Sequence, residues 1–254
     1  MPRMQAGDAT PTIEVIRLTG GKANAMDVAL LDEIERRIDA LERGHARGAV
    51  ITGYDRYFSA GLALPQLVDL SRDEMRAFIE RFARAMTRVL ACEKPLVAAI
   101  NGHAIAGGCV LALMCDWRIC AEGNLKVGLN ETQLGIGLPA VVIEPLRAQV
   151  PPASLVPIAL EGRLFLPREA RDIGLVHELS ASGEMVVRAE LKARALAAAD
   201  PVAVAQVKRA LRAPILDAIA RTATAETERW LDSWFSPGAQ ARLHAAVAKL
   251  NKPG

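Results

Sequence analysis

The stretch from Leu96 to Cys115 constrains this chain more than any other. Its apolar content resembles a membrane span, yet Asn101, Gly102 and His103, and then Gly107 and Gly108, interrupt it. A bilayer crossing needs about 20 predominantly apolar residues in one helix. An apolar run broken by a polar turn and a glycine pair instead predicts a buried strand over 95–100, a tight turn, and a helix over 106–114.

The same alternation extends on both sides. Ile13, Val15, Ile16 and Leu18 fall in a strand pattern over 12–18, closed by Gly20 and Gly21. Asp27 is placed to cap a helix carrying Leu31, Ile34, Ile38 and Leu41 on one face. A short buried strand is expected over 49–52. Ser71 and Glu74 then form a capping-box pattern ahead of a long helix with Met75, Phe78, Phe82, Met86 and Val89 inward. Another strand is expected over 117–120. Strands alternating with helices indicate α/β organisation. Beyond Pro139 helical patterns dominate, and a single late strand is expected over 175–178.

At 254 residues the chain is long enough for one large domain, or one domain with a helical tail. Its 31 basic and 29 acidic side chains nearly cancel, which leaves no broad footprint for nucleic acid, so an anionic ligand must be met locally. Cys92, Cys109, Cys115 and Cys120 show neither CxxC nor zinc-ligand spacing, and the N-terminal stretch MPRMQAGDATPT carries no signal-like apolar run. The expectation is a reduced, cytoplasmic setting with no bound metal and no membrane partner.

Two small-residue loops follow expected strands: Phe58-Ser59-Ala60-Gly61-Leu62, and Asn101 to Gly108, which opens directly into a helix. Small side chains let a ligand approach the main chain, and amides at a helix start lack intrahelical partners and sit at its positive end. Such loops suit a developing negative oxygen, although either one alone reads first as a tight strand-to-helix turn or close helix packing. Glu131 stands amid apolar and small residues in VGLNETQLGI. A desolvated glutamate suits a general base, and a helix-start glutamate is the plainer alternative. Four scattered histidines (His45, His103, His177, His244) read as core or surface residues, and Trp230, Trp234 and Phe235 as packing residues of the tail ahead of ligand contacts.

Taken together, KANAMD, FSAGL, KPLVAAINGHAIAGGCVLALMCDWRI and GLNETQLGI resemble the enoyl-CoA hydratase/isomerase family, also called the crotonase family, in order and spacing over nearly the whole chain. The resemblance implies a ββα spiral core over 1–195 and a C-terminal helical trimerisation region over 196–254. It implies an acyl-CoA thioester substrate, with coenzyme A arriving as part of that substrate and no permanently bound cofactor. It also implies a homotrimer or dimer of trimers.

By motif, the family's two backbone donors to the thioester oxygen map onto Leu62 and Gly107, and its later acid/base glutamate onto Glu131. Coenzyme contacts map onto Lys22, Ala23, Ala60 and Leu64, with Lys249 matching a C-terminal phosphate contact; either lysine is also simple surface charge. Family hydratases carry another glutamate on the helix after the glycines, where this chain has Val110. A valine neither orients water nor moves a proton. GLNETQLGI is similar to the Δ3,Δ2-enoyl-CoA isomerase branch, which implies 3-enoyl to 2-enoyl double-bond migration ahead of hydration or another lyase reaction. Acyl-CoA binding without turnover is the remaining alternative.

Overall fold

The computed structural model describes residues 10–250. Residues 1–9, which hold most of the polar N-terminal stretch, and 251–254 lie outside it. β1 (Ile13–Arg17) leads to α1 (Val28–Arg43), whose cap is Asp27 accepting from the Leu30 amide at 2.9 Å. β2 (Gly48–Thr52) is buried throughout and is followed by β3 (Tyr57–Ser59) and the short α2 (Leu64–Leu67). α3 (Arg72–Ala91) opens on the Ser71–Glu74 capping box and buries Met75, Phe78, Phe82, Met86 and Val89.

The broken apolar stretch resolves into β4 (Leu96–Ile100), β5 (His103–Ile105) and α4 (Gly107–Met114), every residue of which is buried. β6 (Trp117–Ala121) and β7 (Val127–Gly128) follow, then α5 (Ala140–Gln149), β8 (Leu164–Phe165), α6 (Pro167–Asp172) and β9 (Glu178–Ser180). The chain ends in α7 (Met185–Ala197), the long α8 (Pro201–Trp234) and α9 (Pro237–Leu250).

One sheet has the order β1-β2-β4-β6-β9 and is wholly parallel; the other has the order β3-β5-β7-β8, with β8 antiparallel. β2, β4 and β6 each hand the chain to a short strand of the second sheet before the next helix. That repeated step is the ββα spiral implied by the resemblance. No described helix is long and apolar enough to cross a membrane.

The late strand differs from the sequence expectation over 175–178. The amides of Leu175 and Val176 both close on Ala170 O, at 2.8 and 3.1 Å, after the left-handed Gly174 (φ 77°) ends α6. The Leu175 carbonyl is taken by Arg118 Nε at 2.8 Å. With both amides spent on a helix end and the Leu175 carbonyl on a buried guanidinium, these residues have no N–H left for a ladder. The strand therefore starts at Glu178. β8 also interrupts the region beyond Pro139 that reads as helical. Pro95 stays outside β4, where it has no N–H to give a ladder.

α8 is fixed to the core by charge. Asp116 accepts from Lys208 Nζ at 2.6 Å, from Arg212 at 3.1 Å and from the Leu96 amide at 2.8 Å. Lys208 and Arg212 are buried. Removing one partner of a buried charge set costs about 3–5 kcal/mol, because the remaining charge is left uncompensated. Asp116→Ala is therefore expected to lower the urea midpoint by an amount equivalent to about 3 kcal/mol, whereas Arg84→Ala, which breaks the exposed pair with Glu35, should change stability by less than about 1 kcal/mol.

Candidate active site

The two small-residue loops meet. Gly61 has φ 86°, a left-handed conformation that favours glycine, and a Cβ there would lie 2.9 Å from Ile105 O and 3.1 Å from Gly107 N. At Gly108 a Cβ would stand 2.2 Å from Ser59 O, so only glycine lets α4 start against β3. Part of the expected FSAGL loop, Phe58 and Ser59, belongs to β3, and part of the second loop forms β5. The loops thus leave neighbouring strands of one sheet, which explains their convergence.

Their hydrogen bonds decide which amides stay bare. Ala60 N–H donates to Ala23 O at 3.0 Å, Gly61 N–H to Ser59 Oγ at 3.2 Å, and Ala63 N–H to Met26 O at 3.0 Å. In the other loop Ala106 N–H donates to Gly128 O at 2.9 Å. Among the described residues, no protein acceptor takes the amide of Leu62 or of Gly107, the first residue of α4. Ala106 holds φ 51° and ψ −122°, a conformation disfavoured for a residue with a side chain. Backbone strain of this kind costs about 1–3 kcal/mol and clusters at functional sites.

A cavity of about 100 Å³ lies against these loops. Ala60, Leu62, Leu64 and Gly107 line it together with Val110 and Glu131. Five of the eight residues predicted for the site therefore share one cavity: Ala60, Leu62, Leu64, Gly107 and Glu131. Ala23 sits one hydrogen bond behind, through Ala60. Lys22 and Lys249 are both exposed and stand outside the cavity wall, Lys249 in the last turn of α9.

Among the described residues, Glu131 is the only ionisable one lining the cavity. The residue as a whole is half-buried, but its Oε2 has neither solvent contact nor a hydrogen-bond partner among the described residues. Desolvation pushes its pKa up to about 7, with its own backbone amide pulling weakly the other way. The turn that carries it is shaped by Gly135 (φ 81°) and by Leu134 N–H and Ile136 N–H, which both donate to Glu131 O.

Several wall residues escaped sequence reasoning. Ile79 and Val142 line the cavity, as does Asn130, whose side-chain oxygen is also buried without a partner. Of the α3 residues that helical spacing turns inward, Phe82 reaches the cavity, while Met75 and Phe78 stay in the core. Trp230, expected to be a packing residue, forms part of the wall and stacks on the buried Trp234 with ring centroids 5.2 Å apart. Helical spacing shows which face of α8 is apolar, but not that this face ends at a cavity.

A family model for enoyl-CoA hydratase/isomerase matches residues 8–238. The 2,3-dehydroadipyl-CoA hydratase of Escherichia coli is 32% identical over 74% of this chain and 73% of its own. Human mitochondrial enoyl-CoA delta isomerase 1 is 32% identical over 68% of this chain and 58% of its own. Among solved structures, human mitochondrial Δ3-Δ2-enoyl-CoA isomerase superposes with a TM-score of 0.90 at 26% identity, covering 96% of each chain.

The enclosed carboxyl sets a pH dependence on stability. The folded pKa, about 7, lies above the ordinary glutamate value of 4.5. This group therefore favours the folded state fully below about pH 4.5, and the advantage is lost as pH rises through 7. Glu131→Gln should then gain stability over the parent at pH 8 relative to pH 4, by on the order of 3 kcal/mol at most at 1.36 kcal/mol per pKa unit. Paired denaturation curves at the two pH values measure this.

Proposed function

This chain belongs to the enoyl-CoA hydratase/isomerase family, and from that premise we propose that it moves the double bond of a 3-enoyl-CoA to the 2-position. The observation that carries the reading is a lone desolvated carboxyl, Glu131, in one cavity with two unspent backbone amides, Leu62 and Gly107. As carboxylate, Glu131 takes a proton from C2, and the electron pair moves onto the thioester oxygen to give a dienolate. The amides of Leu62 and Gly107 donate to that oxygen, and the positive end of α4 adds to their field. Each such donor contributes on the order of 3 kcal/mol in comparable sites. The same carboxyl returns the proton at C4, leaving a conjugated 2-enoyl thioester with no atom gained or lost.

Val110 supports isomerisation over water addition, since it is buried in the cavity wall and offers no acid or base. Apolar walls also keep solvent protons from the dienolate. Hydration is a second reading, favoured by Asn130: a buried oxygen without a partner would accept a hydrogen bond from a water or a hydroxyl. Coenzyme contacts are assigned to Ala23, Ala60 and Leu64, with Lys22 and Lys249 for its phosphates. Residues 196–254 are assigned to association of three or six copies, supported by Val202, Val207 and Leu211, which stand exposed on α8.

Glu131→Gln is expected to lose about 10²–10⁴-fold in isomerase turnover on 3-hexenoyl-CoA; full retention rejects the reading. In the parent, kcat/KM should rise tenfold per pH unit up to about 7 and level off above it, because the carboxylate is the active form. Crotonyl-CoA hydration matching the isomerase rate, and lost in Asn130→Ala, would establish the second reading instead. Sedimentation of the parent should give the mass of three or six chains, and Leu211→Asp should lower it.

A further inference from the structure

The far side of the cavity is built by three helices. Ile79 comes from α3, Val142 from α5 and Trp230 from α8, and they line the same cavity as Leu62 and Gly107. Trp230 cannot swing aside easily: its ring stacks on Trp234, which is fully buried. Its helix is held on one flank by Arg72 and Arg76 against Glu228, and on the other by Ser233 Oγ, which accepts from Gly137 N–H at 2.9 Å.

The space in front of it is small. An apolar cavity of about 150 Å³ holds benzene, so carbon atoms need roughly 25 Å³ each. The roughly 100 Å³ here then admits about four carbons between the bare amides and the indole. Ile79, Val142 and the ring of Trp230 present mainly hydrocarbon surface, so the ligand portion they accept is hydrocarbon.

We infer that Trp230 is the stop that sets acyl length, making this a site for short acyl-CoA thioesters of roughly four to six carbons. The inference rests on the isomerase reading for its chemistry, and only on the cavity for its length limit. A longer chain meets a ring that is braced from behind, and making room for it requires opening the contact between α8 and the Glu131 turn.

The test is a length series on the full-length protein, run in parallel as turnover of 3-butenoyl-, 3-hexenoyl- and 3-decenoyl-CoA and as calorimetric binding of butyryl-, hexanoyl- and decanoyl-CoA. Parent kcat/KM and affinity should both fall at least tenfold between six and ten carbons. Trp230→Ala, with Trp230→Leu as the milder change, should bring that ratio to within threefold. A parent that takes ten carbons as well as six overturns the proposal, whether or not the variants fold. So does a folded variant that keeps the parent's ratio. A length step in binding that Trp230→Ala removes, with no isomerisation at any length, upholds the stop and rejects the isomerase reading. Isomerisation without a length step rejects the stop alone.

Discussion

The contact between the chain leaving β3 and the first turn of α4 is the constraint from which the site follows. Ser59 O lies where a side chain at Gly108 would have to be, and Gly61 lies against Gly107. Two segments this close must spend most of their backbone groups on each other and on their supports. Ala60, Gly61, Ala63 and Ala106 all do so. Leu62 N–H is left over because its neighbours on both sides, Gly61 O and Ala63 N, bond Met26, so its own amide faces the other way. Gly107 N–H is left over because a helix cannot satisfy its first amides. The two bare donors are thus a by-product of how the loops are held, and they are fixed before any ligand arrives.

The chain buries charge in two contrasting ways. Asp116 is surrounded by two cations and a backbone amide, and the result is structural: it ties α8 to β4 and to the end of α4. Glu131 receives no cation and no hydrogen bond at Oε2, and the result is chemical: the proton is held until about neutral pH. A carboxyl left without a partner in a desolvated site, like Glu131, gains by taking a proton. The cost of enclosing it falls on the folded state as a whole.

Much of the fold was legible in the sequence because its elements are long enough to show a period. α1 and α3 declare both cap and inward face, and β1, β2 and β4 are read within a residue or two. The second sheet was not legible: β3, β5, β7 and β8 are two or three residues long, too short for alternation to register. Glu131 stood out as a lone charge among small and apolar neighbours, and the glycines as a cluster. Leu62 and Gly107 came from resemblance, since a free amide has no signature of its own. Trp230 reads as packing ahead of a ligand contact because an apolar residue on a helix looks the same whether it fills a core or lines a cavity, and in the structure it does both.

The Glu131 turn and the helix that carries Trp230 are joined by hydrogen bonds. The turn that begins at Glu131 runs through Ile136, which also lines the cavity, to Gly137, whose amide is bound by Ser233. Ser233 Oγ in turn donates to Trp230 O at 2.7 Å. α9 covers the same turn from outside, with Ala239 and Arg242 against Gly135. A displacement of α8 large enough to lengthen the pocket therefore pulls on the segment that places the carboxyl. On the proposed mechanism one short chain of hydrogen bonds would couple acyl length to proton transfer, so a chain too long for the pocket should lose reactivity as well as affinity.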